Sequence, residues 1–455
     1  MQQLLPILIL LAAIGLVISR LPKIDMGHSE AFLRRRVQNW VPMGLLYSFL
    51  YMGRYNLTVA KDVFAERMNN EAFATIFAAG TWVYGLAFLI NGPLTDRFGG
   101  RAAILVAGAG SIAANLAMGL VTASGYDGDL RLVFGVLYSM NMYFQSFGAV
   151  AIVKCNAPWF YVKERGQIGA LFGILISLGL YFAYDWGAKI VKAFPLEYVF
   201  YIPAALLLAL CVAVFVLVRD TPAQAGFQDF DTGDATDDND ERLSVVEVFK
   251  KMLSNKVILT IAVIEFCSGF LRQAVMQWYR TFCKQVGFTH GFVYENWGML
   301  LCCAGILGGV FAGYVSDHVF GSRRGPVAAV LYGALLAIAG VMIFTFQVDA
   351  ALGWLAVAFS MAVIGVHGML SGTASMDFGG RKNTGVAVGL IDGFVYAGTG
   401  AMSVIYAAIL PNGDAAKVVD NWHIWPISLI PVALIGLVLA ATLWNARASD
   451  KAGAH

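Results

Sequence analysis

Twelve apolar runs, each close to the roughly 20 residues a helix needs to cross a hydrocarbon core, leave this chain few ways to satisfy its backbone. They fall near 38–60, 72–95, 101–123, 129–153, 164–189, 196–218, 255–278, 291–317, 324–347, 350–375, 384–409 and 424–445. Inside a bilayer every N–H and C=O must bond within the protein, so runs of this length become helices. The expected class is an all-α membrane protein embedded in the lipid bilayer. Composition agrees: 13% of the 455 residues are charged, against about 25% in a soluble domain.

A further apolar run over 3–19 precedes Arg20 and Lys23 without the basic start and Ala-x-Ala site of a cleaved signal. It reads as an extra N-terminal helix, with a removed signal peptide as the alternative. Basic residues recur in alternate loops: Arg34 to Arg36, Arg97 with Arg101, Lys163 with Arg165, Lys250 with Lys251, Arg323 with Arg324, Arg381 with Lys382. This alternation places those loops, the central linker and the C-terminus in the cytoplasm; the expected location is a bacterial inner membrane. A net charge of +2 gives no footing for a nucleic-acid partner. The six cysteines, at 155, 211, 267, 283, 302 and 303, lie mostly within apolar runs and read as packing residues. No spacing suits a metal, no loop suits a cofactor, and no nucleophile–base constellation points to an enzyme.

Residues 219–254 form the one long polar stretch, with Asp229, Asp231, Asp234, Asp237, Asp238, Asp240 and Glu241 close together. A solvated linker is expected there; a metal-binding loop is the alternative, without a fixed ligand geometry. The chain thus divides into an N-terminal helix and basic linker (1–33), a six-helix bundle (34–218), the acidic linker (219–254), a second six-helix bundle (255–446) and a tail (447–455).

The two halves repeat each other. Gly92-Pro-Leu-Thr-Asp96-Arg97-Phe-Gly-Gly-Arg101 closes the second span, and Gly313-Tyr-Val-Ser-Asp317-His-Val-Phe-Gly321-Ser-Arg323-Arg324 closes the eighth. Forty-two residues before Asp96 stands Arg54, and forty-five before Asp317 stands Arg272. Each arginine lies inside the first span of its half. A charge at the bilayer centre costs roughly 2.5–3.5 kcal/mol on insertion scales and normally faces a bundle interior or a substrate path. A pseudo-two-fold assembly would bring both arginines to a midplane cavity. The alternative is that each pairs with a buried acid.

The doubled loop resembles the signature of the major facilitator superfamily, which implies the major facilitator fold: two pseudo-symmetric six-helix bundles, here with the extra N-terminal helix. Arg219-Asp-Thr-Pro222-Ala-Gln-Ala-Gly226 and Lys163-Glu164-Arg165-Gly166 are similar to motifs of the organophosphate:phosphate antiporters. The resemblance covers residues 34–445. It implies a monomeric secondary transporter of a small anion, a phosphate ester exchanged for inorganic phosphate by alternating access. It further implies that Arg54 and Arg272 clamp the anion, and that Tyr47, Tyr51, Tyr84, Gln145 and Tyr396 line the cavity. For each tyrosine, packing is the competing role. Asp96, Arg97, Arg101, Asp317 and Arg323 would form the cytoplasmic gate.

The chain also departs from that family. Phe88 stands where the family has a lysine, Ile176 and Ala374 where it has histidines, Cys302 where it has a glutamate, and Ala149 where it has a tryptophan. Glu265, Asp392 and His367, all within apolar runs, are the candidates to carry a coupling proton instead; helix packing or a structural partner is the other reading. Glu265, seven residues before Arg272, would pair with that arginine. Two other functions stay open: a proton-coupled symporter of a carboxylate or sugar acid, and a membrane sensor of phosphate esters that does not transport.

Overall fold

A computed structural model describes residues 5–20, 26–161, 164–232, 250, 254–321, 323–370 and 384–445, and no strand occurs among the described residues. Eleven helices among these are long and apolar enough to cross a membrane. The twelfth expected span lies within α2 (Glu30–Phe64), whose average is lowered by its charged residues, Arg54 included. The extra N-terminal helix is present as α1 (Leu5–Arg20); its 16 residues extend about 24 Å.

The first half continues with α3 (Asn70–Phe98), α4 (Gly100–Ala123), α5 (Leu130–Asn156), α6 (Arg165–Tyr181), α7 (Gly187–Ala193) and α8 (Tyr198–Leu217). The second half contains α9 (Lys256–Met276), α10 (Trp278–Val286), α11 (Trp297–His318), α12 (Arg324–Thr345), α13 (Asp349–Met369), α14 (Thr384–Ile409) and α15 (Ile424–Thr442). The apolar run expected over 164–189 is not one regular helix, because a π turn over Phe182–Trp186 joins α6 to α7.

The chain folds into two compact units. One comprises Met1–Met68, Leu86–Asp238 and Trp297–Cys303; the other comprises Asn69–Gly85, Asn239–Asn296 and Ala304–His455. Specific polar contacts explain the two short segments that leave their own half. In the first unit the π turn presents Asp185, whose Oδ1 and Oδ2 accept from Gly298 N and Met299 N at 2.8 and 2.9 Å. A carboxylate there satisfies amides that the first turn of α11 cannot use itself and complements the helix dipole. In the second unit Asn70, opening α3, exchanges amide hydrogen bonds with Gln285 at 3.0 and 2.9 Å and donates to Pro411 O at 2.7 Å.

Two motifs of the first half meet at the start of α4. Gly99 occupies its N-cap with φ +89°, a conformation open to glycine but costly for other residues, so this cap has no side-chain oxygen of its own. Asp220 supplies one, accepting from Arg101 N at 2.8 Å. The first part of the linker is docked through its aromatic residues, Phe227 and Phe230 packing on Phe32, Trp159 and Phe160, while Asp229 and Asp231 stay exposed. Asp234, Asp237, Asp238, Asp240 and Glu241 lie outside the described residues. In the separate motif over 163–166, Glu164 pairs with Arg36 at 2.9 Å and accepts from Tyr161 N at 3.0 Å. Asp220→Ala is expected to lower stability by about 1 kcal/mol, the usual cost of a lost N-cap; a thermal midpoint unchanged from wild type would show that the cap contributes nothing.

The second unit is built around the contact between α9 and α14. A Cβ at Gly269 would lie 2.0 Å from Val395 O, and one at Gly398 would lie 1.9 Å from Phe266 O. Without a hydrophobic drive between helices in lipid, small residues that admit close backbone approach give the packing.

Candidate anion-binding site

Arg54 sits in α2 with 1% of its surface exposed. Its Nε donates to Gln145 Oε1 at 3.0 Å, and its guanidinium carbon lies 4.7 Å from the centroid of Tyr51, within cation–π range. Gln145 is itself 0% exposed and donates from Nε2 to Asn141 Oδ1 at 3.0 Å and Ser111 Oγ at 3.2 Å. Ser111 Oγ donates to Asn141 Oδ1 at 2.7 Å, and Asn141 Nδ2 returns to Gly53 O at 2.9 Å. The network therefore starts at Arg54 and closes on the residue next to it. Asn115 extends it, donating to Gly53 O at 3.3 Å and accepting from Asn56 at 2.7 Å. A planar guanidinium held through Nε keeps its fork in one orientation, the geometry that phosphate and carboxylate recognition uses.

Of the residues expected around Arg54, Tyr47 and Tyr51 meet edge to face at 5.4 Å between centroids. Gln145 stands behind the arginine as its support. Asn56, Ser111, Asn115 and Asn141 escaped the sequence reading, yet the signal was there: Ser111 with Asn115 and Asn141 with Gln145 are i, i+4 pairs in apolar helices, so each polar pair shares a face. Asp185, 6% exposed, and Lys61, 2% exposed, were also passed over. Lys61 lies seven residues beyond Arg54 on nearly the same face of α2.

In the second unit Tyr84 and Tyr396 come together at 4.1 Å between centroids, with Gly85 admitting the Tyr396 side chain: a Cβ there would be 3.3 Å from Tyr396 Cβ. Arg272 is half-buried on α9. α9 and α14 approach closest where Phe266 meets Gly398 and Gly269 meets Val395 and Thr399. They run parallel, since Trp278 just beyond α9 meets Tyr406 toward the end of α14; Asp392 therefore lies toward the Glu265 end of α9. Glu265 does not pair with Arg272 as expected. Its Oε2 lies 2.8 Å from His367 Nδ1 on α13, because seven residues separate Glu265 from Arg272 by roughly 10 Å of helix rise, whereas α13 packs directly against α9.

The gate residues are less gathered. The side chains of Asp96 and Asp317 lie outside the described residues. Arg97 is exposed. Arg101 donates to Phe215 O at 2.5 Å, and Arg323 Nε donates to Phe320 O at 3.1 Å. Phe88 and Cys302, in place of the family's lysine and glutamate, are buried, Ile176 and Ala149 are half-buried, and Ala374 lies outside the described residues.

Residues 43–404 match the family model described as Major Facilitator Superfamily. The glycerol-3-phosphate transporter of Bacillus subtilis (strain 168) is 27% identical over 92% of this chain and 95% of its own length. A probable hexose phosphate transport protein of Chlamydia trachomatis is 24% identical over 90% of this chain and 91% of its own. The membrane sensor protein UhpC of Escherichia coli is 24% identical over 92% and 94%. These relatives agree with the resemblance to the organophosphate:phosphate antiporters. Among solved structures, a bacterial homologue of the human lysosomal transporter Spinster superposes with a TM-score of 0.71 at 13% identity over 92% of this chain and 97% of that one. A D-xylose–proton symporter does so with 0.64 at 13% identity over 92% and 98%. Both likenesses concern the fold.

Proposed function

Because the chain belongs to the major facilitator superfamily, we propose that it is a secondary transporter of a small organic anion, a phosphate ester exchanged for inorganic phosphate by alternating access. The observation that carries this reading is the buried guanidinium of Arg54, oriented by Gln145 and lying against Tyr51. Arg272 is the second arm of the clamp, on the strength of its matching place in the repeat. Two like charges favour separation until an anion neutralises both, so an occupied clamp lets the halves reorient where an empty one resists. Tyr47, Tyr51, Tyr84 and Tyr396 line the anion's path, while Gln145 positions Arg54. The basic loops face the cytoplasm of a bacterial cell, and Asp96, Arg97, Arg101, Asp317 and Arg323 gate that side.

Purified protein should be stabilised against heat by inorganic phosphate and by glycerol-3-phosphate, by about 2.7 kcal/mol at a hundredfold excess over Kd. Stabilisation by carboxylates alone would overturn the phosphate-ester reading. The similarity to UhpC, a membrane sensor by name, favours one second reading, in which the protein binds the ester without moving it. Binding in the thermal measurement with no exchange of labelled phosphate in proteoliposomes would select the sensor.

A further inference from the structure

We propose that Glu265 and His367 form a proton-binding site whose occupancy is linked to anion transport. The link rests on the anion-exchange reading above; the site itself rests on geometry.

Glu265 is wholly buried, and the His367 side chain is 24% exposed. Glu265 Oε2 meets His367 Nδ1 at 2.8 Å, while Oε1 is buried without a hydrogen-bond partner. A carboxylate closed off from water and held on one oxygen alone has no second donor over which to spread its charge. The imidazole is its contact with a proton donor, and the exposed part of the ring is the way in and out. With one proton in the 2.8 Å bond the pair is neutral, whichever atom carries it. A second proton, taken from water at His367, leaves it with one positive charge, and its return to water restores neutrality. The pair thus changes charge by one unit without moving a helix.

The other ionisable groups nearby set the field the pair works in. Cys267 on α9 and Tyr332 on α12 lie close enough to feel charge on Glu265, and the Tyr332 hydroxyl donates to Ile264 O at 2.6 Å. α13 carries Asp349 at its far end besides His367, and α15 has no ionisable side chain. On α14, which runs parallel to α9, Asp392 lies toward the level of Glu265, with Tyr396 one turn on and Tyr406 beside Trp278; Tyr279, Arg280, Cys283 and Lys284 follow on α10. α9 carries Lys256 at its start and Arg272 near its end, and Arg272 is the charge through which the pair senses an anion. At the roughly 10 Å of helix rise between them and an effective dielectric of about 20, a unit negative charge on Arg272 raises proton occupancy by roughly tenfold to twentyfold. Linkage is reciprocal, so proton loading favours anion loading by the same factor.

The test needs no knowledge of the natural anion. Infrared difference spectra of the full-length protein in lipid nanodiscs, titrated between about pH 5 and about pH 9, should show a protonated-carboxyl band that disappears in Glu265→Gln. In His367→Asn the band should persist with its midpoint displaced. Glu265→Gln keeps the shape of the side chain, and an unchanged circular dichroism spectrum and thermal midpoint would establish that it folds. Identical titrations in wild type and Glu265→Gln would overturn the site. For the linkage, proteoliposomes exchanging labelled inorganic phosphate should accelerate about tenfold under an imposed acid gradient in wild type but not in Glu265→Gln. Equal responses in the two would overturn the linkage. Failure of wild type to exchange phosphate at all would count against the anion-exchange reading and the linkage together, leaving the spectra to judge the site alone.

Discussion

Arg54→Lys is expected to abolish phosphate-dependent thermal stabilisation and to slow phosphate exchange by at least about 100-fold, the equivalent of about 2.7 kcal/mol. Lysine keeps the charge but not the planar fork, so this substitution separates geometry from electrostatics. Each charge-assisted hydrogen bond contributes about 1.5–3 kcal/mol, and a bidentate contact with an anion loses at least one. Gln145→Leu removes the acceptor that holds Nε while leaving Arg54 in place, so its expected loss is smaller, about tenfold, and falls on anion affinity. Arg54→Lys exchanging within about threefold of wild type, well short of the tenfold that 1.4 kcal/mol represents, would remove Arg54 from the clamp.

The second large effect concerns the seam between α9 and α14. Gly269→Val and Gly398→Val place a Cβ at 2.0 and 1.9 Å from carbonyl oxygens of the facing helix, and backbone cannot swing aside as a side-chain tip can. Overpacking of this kind costs about 1–3 kcal/mol per site. The two sites share one seam, so the double variant should depart from the sum of the singles. Gly309→Ala on α11, where nothing lies within 4 Å of the new Cβ, is the control and should be near neutral. Because Arg272 stands one turn beyond Gly269 on α9, the seam fixes its position, and variants that still fold should lose phosphate-dependent stabilisation more than they lose midpoint. A Gly398→Val protein with wild-type midpoint and phosphate response would show that the helices separate without consequence.

Much of this molecule was legible before any coordinates. Spans could be counted because lipid gives backbone polar groups no partner, which makes length and apolarity nearly sufficient to define a helix. Arg54 was legible as an expensive charge in such a span, and the repeat of the loop around Asp96 and Asp317 supplied Arg272. The π turn was not legible, since a one-residue change of helical hydrogen bonding leaves no mark on hydropathy. Neither was the job of Asp220, which sequence marked only as a family residue and the fold placed over the amide of Arg101. Gln145 was expected from the family resemblance to line the cavity and turned out to stand behind Arg54.

The chain alone therefore determined the helices, their order, the internal repeat and the residue types available for binding an anion, because those follow from local composition and the demands of a bilayer. Tertiary structure decided which polar groups meet. Glu265 had Arg272 available along its own helix and pairs instead with His367, 102 residues away, because partners across a helix contact are chosen by packing and register, which depend on residues far apart in the chain.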